Sequence, residues 1–145
     1  MYLQEEEFKA LLVGKTVKKI FMNSEFLKFE TDKGNVVFTV SGDCCSVSYF
    51  HDFYGVKKLF ENGKIIDFKE LELKEGDDNV TCTKDCCKDG DCISHYGYSI
   101  TTENKELGEQ TSVFSFRNDS NGYYGGSLEI ARDREVLPEI IDDVL

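Results

Sequence analysis

Three short segments near the start of the chain, TVKKIFM (16 to 22), EFLKFET (25 to 31) and NVVFTVS (35 to 41), are rich in β-branched and aromatic residues. They are separated only by Asn23-Ser24 and by Asp32-Lys33-Gly34. A connection of two or three turn-forming residues can join antiparallel neighbours but cannot carry a chain back to a parallel position, which needs a dozen residues or more. The start of the chain is therefore committed to an antiparallel meander, and whatever follows must cover its apolar face.

The candidates for that cover are helical and strand-like in turn. Leu3, Phe8, Leu11 and Leu12 share a helical face, with Glu5, Glu6 and Glu7 where a helix dipole favours carboxylates, and Gly14 ends the pattern. Ser46 is placed to cap a helix carrying Val47, Phe50 and Phe53, which Gly55 separates from a second turn with Val56, Leu59 and Phe60. KIIDFKELEL (64 to 73), HYGYSITTE (95 to 103), QTSVFSFRN (110 to 118) and GGSLEIARD (125 to 133) read as further strands, and Glu139 to Leu145 as a short helical tail after Pro138. The expected fold class is α+β: one domain over residues 1–145, with an antiparallel β-sheet packed against two or three short helices. Residues 74–94, polar, Gly-bearing and rich in cysteine, read as a loop insertion. At 145 residues such a chain buries roughly two-thirds of its unfolded surface around one core.

Charge removes several function classes. With 28 acidic against 17 basic residues the formal net charge is −11, the wrong sign for holding duplex nucleic acid through its phosphates. No apolar run approaches the roughly 18 residues of a membrane span, and MYLQEEEFKALLVG lacks the basic start of an export signal. A cytoplasmic protein with reduced thiols is expected. A Walker A loop, a GxGxxG fingerprint and an HExxH helix are absent from the sequence, so nucleotide hydrolysis has no visible machinery.

Three constellations could carry chemistry. Asp43-Cys44-Cys45-Ser46, followed by Tyr49, Phe50, His51 and Asp52, admits a thiolate nucleophile with His51 or His95 as base. It equally admits a strand end with one packed cysteine. Cys82, Cys86, Cys87 and Cys92 put four thiols close together, compatible with a structural zinc, with a disulfide inside the loop, or with free thiols, since their spacing is not that of paired CxxC motifs. The third is RNDSNGYYGGS (117 to 127). Its Asn121-Gly122 and Gly125-Gly126 make a turn, while the Arg117 guanidinium suits a phosphate, Tyr123 and Tyr124 offer faces for stacking a base, and Asn118, Ser120 and Asn121 supply short hydrogen-bonding groups. A plain hairpin with Arg117 in a surface ion pair fits the same residues.

The order of these pieces, GDCCS, an aromatic-acidic segment ending at Gly55, VKKLFENGKIIDFKELEL and finally SNGYY, resembles the phage Thoeris anti-defence proteins of the first type and related uncharacterised phage proteins, over residues 35 to 73 and 95 to 130. The resemblance implies a small α+β protein that is a homodimer or a higher homo-oligomer. It implies a sponge rather than an enzyme: a protein of the infected host's cytoplasm that takes up a nucleotide second messenger, a cyclic ADP-ribose isomer or a cyclic oligonucleotide, and holds it intact without any cofactor. Carried onto this chain, the implied site contains Ser120, Asn121, Tyr123 and Tyr124, with Asp43 and Cys44 matched as motif positions only. The family's arginine on the preceding strand falls at Ser115 here, so a phosphate contact by Arg117 rests on guanidinium chemistry. The full candidate ligand-binding set is Arg117, Asn118, Ser120, Asn121, Tyr123, Tyr124, Asp43, Tyr49 and His51. The alternatives are a messenger-cleaving enzyme and a zinc-stabilised inhibitor that binds another protein.

Overall fold

The computed structural model describes residues 2–42, 46–61, 63–72, 92–106, 108–120 and 126–145. Helix α1 (Tyr2–Leu12) buries Phe8 and Leu12, one turn apart, and ends where Gly14 takes a φ of 88°. The meander follows as β1 (Val17–Met22), β2 (Phe26–Thr31) and β3 (Gly34–Gly42). Its first turn is held by the Asn23 side chain, whose Oδ1 accepts from the N–H groups of Glu25 (2.9 Å) and Phe26 (2.8 Å). After β4 (Val47–Tyr54) and α2 (Val56–Glu61) come β5 (Lys64–Glu72), the long hairpin β6 (Cys92–Asn104) and β7 (Gly108–Ser120), β8 (Gly126–Ala131) and the two-residue β9 (Glu139–Ile140).

The strands form two sheets, β8-β3-β2-β1-β9 and β4-β7-β6-β5, every neighbour pair antiparallel. The sheets face one another across phenylalanines: Phe29 meets Phe53 with ring centroids 6.1 Å apart, and Phe38 meets Phe68 at 6.2 Å and Phe114 at 6.4 Å. Phe8 of α1 plugs the gap, edge-on to Phe38, Phe68 and Tyr98. Each fully buried phenylalanine contributes about 1.5–3 kcal/mol of burial free energy. The sheet edges are stitched together as well: Thr16 bridges Lys64, Phe53 bridges Val144, and the Gly14 N–H donates to the Ile65 carbonyl (2.8 Å). Among the described residues no helix is long and apolar enough to cross a membrane.

The α+β reading holds in its coarse form, but the protein is mainly β, with two sheets where one was expected and two short helices. Two expected helices are strands. Val47, Phe50 and Phe53 lie at helical spacing, yet they belong to β4, where a bulge between Phe50 and Asp52 inserts one residue. The extra residue resets the alternation, so Phe50 and Phe53, three apart, both point into the core. The same device between Ile65 and Asp67 buries both Ile65 and Phe68 in β5. The tail from Glu139 to Leu145 is also extended. Ile140 pairs with Ile20 on the open edge of β1, Val144 pairs with Phe53, and Asp143 Oδ1 accepts from the N–H groups of Gly55 (2.9 Å) and Val56 (3.0 Å), capping α2 from outside. Satisfying an unfilled strand edge and a helix end outweighs the weak helical tendency of seven residues.

Candidate functional site

Strand β7 sits between β4 and β6, and its two faces do different things. Phe114, Phe116 and Asn118 point inward, all with no exposed surface. Ser115 and Arg117 therefore point away from the sheet–sheet core, yet they too are buried, at 2% and 5% exposure. Arg117 lies in a cross-strand row with Tyr49 on one side and His95 on the other, and the next row sets Ser115 between Asp52 and Gly97. The β4 bulge brings both His51 and Asp52 opposite Ser115.

This face is an electrostatic unit. Asp52 is 1% exposed, and the Ser115 hydroxyl donates to its Oδ1. Burial raises the Asp52 carboxyl above its ordinary value, opposed first by the Ser115 hydrogen bond and then by the charges of His51 and Arg117. His51 is shifted down, chiefly by burial and then by Arg117, with Asp52 pulling the other way. A guanidinium cannot shed its proton, so the cation is permanent and the imidazole beside it is kept neutral. The arrangement suits an anion, and a phosphate above all, on Arg117 with Tyr49 and His95 alongside.

The inner face at the same end of β7 is a polar corner. Asn118 Nδ2 donates to the hydroxyls of Ser48 (2.9 Å) and Ser46 (3.1 Å), Ser48 Oγ donates to the Ser41 carbonyl (2.8 Å), and the Ser41 and Ser127 hydroxyls bond at 2.9 Å. The corner leaves no room for side chains at its glycines. A Cβ on Gly126 would stand 2.3 Å from Ser48 Oγ, and one on Gly42 would stand 2.6 Å from Ser46 Oγ. Here β3 passes from one sheet to β4 in the other and β7 passes back to β8, with Gly42 paired to Gly126 and Val47 to Asp119.

Of the expected site residues, the structure brings together Arg117, Tyr49 and His51. It sets Asn118 on the opposite face, as a strut of the corner. Ser120 is the last residue of β7 and Cys92 the first of β6, paired with each other. Asp43, Cys44 and Cys45, Asn121, Tyr123 and Tyr124, and Cys82, Cys86 and Cys87 lie outside the described residues. The described residues Gly42 and Gly126 pair with each other, as do Val47 and Asp119. Among the described residues no group of three or more His, Cys, Asp or Glu could hold a metal ion. Sequence reasoning missed Asp52 and Ser115 as companions of Arg117, although the alternation of Phe114 and Phe116 was enough to put Ser115 and Arg117 on one face.

The fold and this face define a two-sheet antiparallel β protein with a buried cationic row on the outside of one sheet. The chain belongs to the family described as "Domain of unknown function (DUF7448)", which matches residues 10–130. It is 32% identical over 135 residues to "Uncharacterized protein L278" of Acanthamoeba polyphaga mimivirus, a match covering 88% of this chain and 95% of that protein. No solved structure matches.

Proposed function

We propose that this protein is an anti-defence sponge of the phage type, which binds a nucleotide immune second messenger, a cyclic ADP-ribose isomer or a cyclic oligonucleotide, and withholds it from host signalling without cleaving it. The observation that carries this reading is Arg117: a permanent cation at 5% exposure, on the mid-sheet strand β7, in one row with Tyr49 and His95. A guanidinium so poorly hydrated gains more from a phosphate than an exposed one does, because the local dielectric is low. Tyr123 and Tyr124, three and four residues past Ser120 in the sequence, are the aromatic residues on which a base would stack in this reading. The viral relative fits a virus-borne role. A sponge needs slow release rather than turnover, and burial of a few charged and aromatic groups achieves that in a protein of net charge −11, since distant charges are screened beyond about a Debye length of 8 Å. The sponge works as a homodimer or higher homo-oligomer in the cytoplasm of the infected cell.

The test is incubation with cyclic ADP-ribose isomers and cyclic oligonucleotides, followed by heat denaturation and mass spectrometry of what is released. Intact ligand is expected, and Arg117→Ala should weaken binding by about tenfold or more, the scale of a lost charge-assisted hydrogen-bond pair. Degraded ligand would favour the messenger-cleaving reading, and no binding to any of these nucleotides would sink both. Native mass spectrometry of the same samples reports subunit number and any bound zinc.

A further inference from the structure

A second recess lies on the other side of β7, at the mouth between the sheets. It encloses about 140 Å³ and is lined by Glu70, Tyr96, Tyr98, Phe116, Gly126, Ser127 and Leu128. Its wall is a set of parallel rings: Tyr96 stacks on Phe116 at 4.8 Å and 12°, and Tyr98 on Phe116 at 6.2 Å and 15°. Phe116 and Leu128, both fully buried, close the apolar side. Tyr96 Oη accepts from the Gly126 N–H at 3.2 Å, Tyr98 is 6% exposed, and Glu70 contributes a carboxylate. No ion pair among the described residues includes Glu70. Burial and the neighbouring Glu5 carboxylate raise the Glu70 carboxyl, and burial with Glu70 and Glu5 raises the Tyr98 phenol. The lining contains no Lys, Arg or His.

That chemistry excludes one class of ligand and selects another. A phosphate or carboxylate would meet the Glu70 carboxylate and no cationic group of the lining. An ammonium would meet a carboxylate, phenolic oxygens and aromatic surface, three features that each stabilise a positive charge. The volume holds a small organic body of roughly half a dozen to ten heavy atoms, at about 15–20 Å³ per packed atom in a close-packed interior. We propose that this recess is a binding site for the ammonium end of a small organic cation, held by Glu70 and the Tyr96 and Tyr98 hydroxyls against the Phe116–Leu128 wall. It is independent of the anion-binding row around Arg117, which occupies the opposite face of β7.

The experiment is saturation-transfer NMR with a titration on the full chain, using benzylammonium and n-butylammonium as probes and benzyl alcohol and n-butanol as their neutral counterparts. Saturable binding of the cations is expected, about tenfold tighter than that of the alcohols, the factor associated with one charge-assisted contact. Glu70→Gln should remove that advantage and Tyr98→Phe should reduce it, while Arg117→Ala should leave it unchanged. Glu70 is exposed at the rim, so its variant keeps the fold, which near-ultraviolet circular dichroism checks. Equal binding of cations and alcohols, an unchanged preference in Glu70→Gln, or no saturable signal would each overturn the proposal.

Discussion

The two faces of β7 contrast within five residues, Phe114 to Asn118. Inward, Phe114, Phe116 and Asn118 are tied to the core and to the corner where the sheets join, where Asn118 Nδ2 donates to Ser46 and Ser48. Outward, Ser115 and Arg117 are nearly as well buried, but they concentrate charge: a guanidinium, a carboxyl pushed up by burial and an imidazole pushed down. One face is apolar and amide-bonded, the other carries charge. Burial alone does not distinguish them; the sign and chemistry of what is buried does.

That contrast can be broken from the inside first. Phe114→Ala removes a ring that touches Phe29, Phe38, Phe50, Phe53, Phe68 and Tyr98, and should cost about 3–5 kcal/mol in urea denaturation. Next in size, Gly126→Ala drives a methyl against Ser48 Oγ and the Ser41 carbonyl at 2.3 and 3.0 Å, and should cost about 1–3 kcal/mol through strain at the corner. Asn118→Ala deletes two hydrogen bonds and leaves two hydroxyls to find other partners; a loss of about 1–3 kcal/mol is expected, with nucleotide binding retained once the lower stability is allowed for. If Asn118→Ala instead abolished binding in a folded protein, the division between the faces would fail.

The smallest effect is one of pH and belongs to the outer face. His51 in the folded protein holds its proton less tightly than the ordinary value of 6.5, so as pH falls through 6.5 towards the folded value the unfolded chain takes up more protons and stability drops. Asp52 runs the other way. Its folded value is raised above 3.8, so the cost of burying its charge is present above that folded value and is relieved as pH falls through it. Denaturation midpoints should therefore decline below pH 6.5 and partly recover at more acid pH, and His51→Gln should flatten the decline. An unchanged profile in that variant would mean that His51 is not the group responsible.

Much of the strand layout was legible. The meander from Val17 to Gly42, the hairpin of β6 and β7 and the strand at β8 follow from apolar runs between turn residues, and α1 ends at Gly14 as its sequence implies. The helix expected from Ser46 through Phe53 has a definite cause: Phe50 and Phe53 are three apart and buried together, which in sequence is a helical signature and in the structure is a bulged strand. A bulge is chosen by what the partner strand presents, and no local window contains the partner. The site was legible only in part for a related reason: Arg117, Tyr49 and His51 could be named as chemistry-bearing types, but Ser115, Asp52 and His95 become their neighbours only when β4 and β6 pair on either side of β7.

By itself, then, the sequence determined antiparallel strands, a single aromatic core, a net charge of −11, and the presence of a cation among turn-forming residues. These are consequences of composition and of periods short enough to be read along one segment. The tertiary structure decided that the strands divide into two sheets, that the tail closes the edge of β1 rather than coiling, and that Arg117 faces away from the core while Asn118, the next residue, faces into it. Those outcomes depend on which edges and faces remain to be satisfied after the first strands have paired, a matter of long-range geometry that no stretch of chain carries on its own.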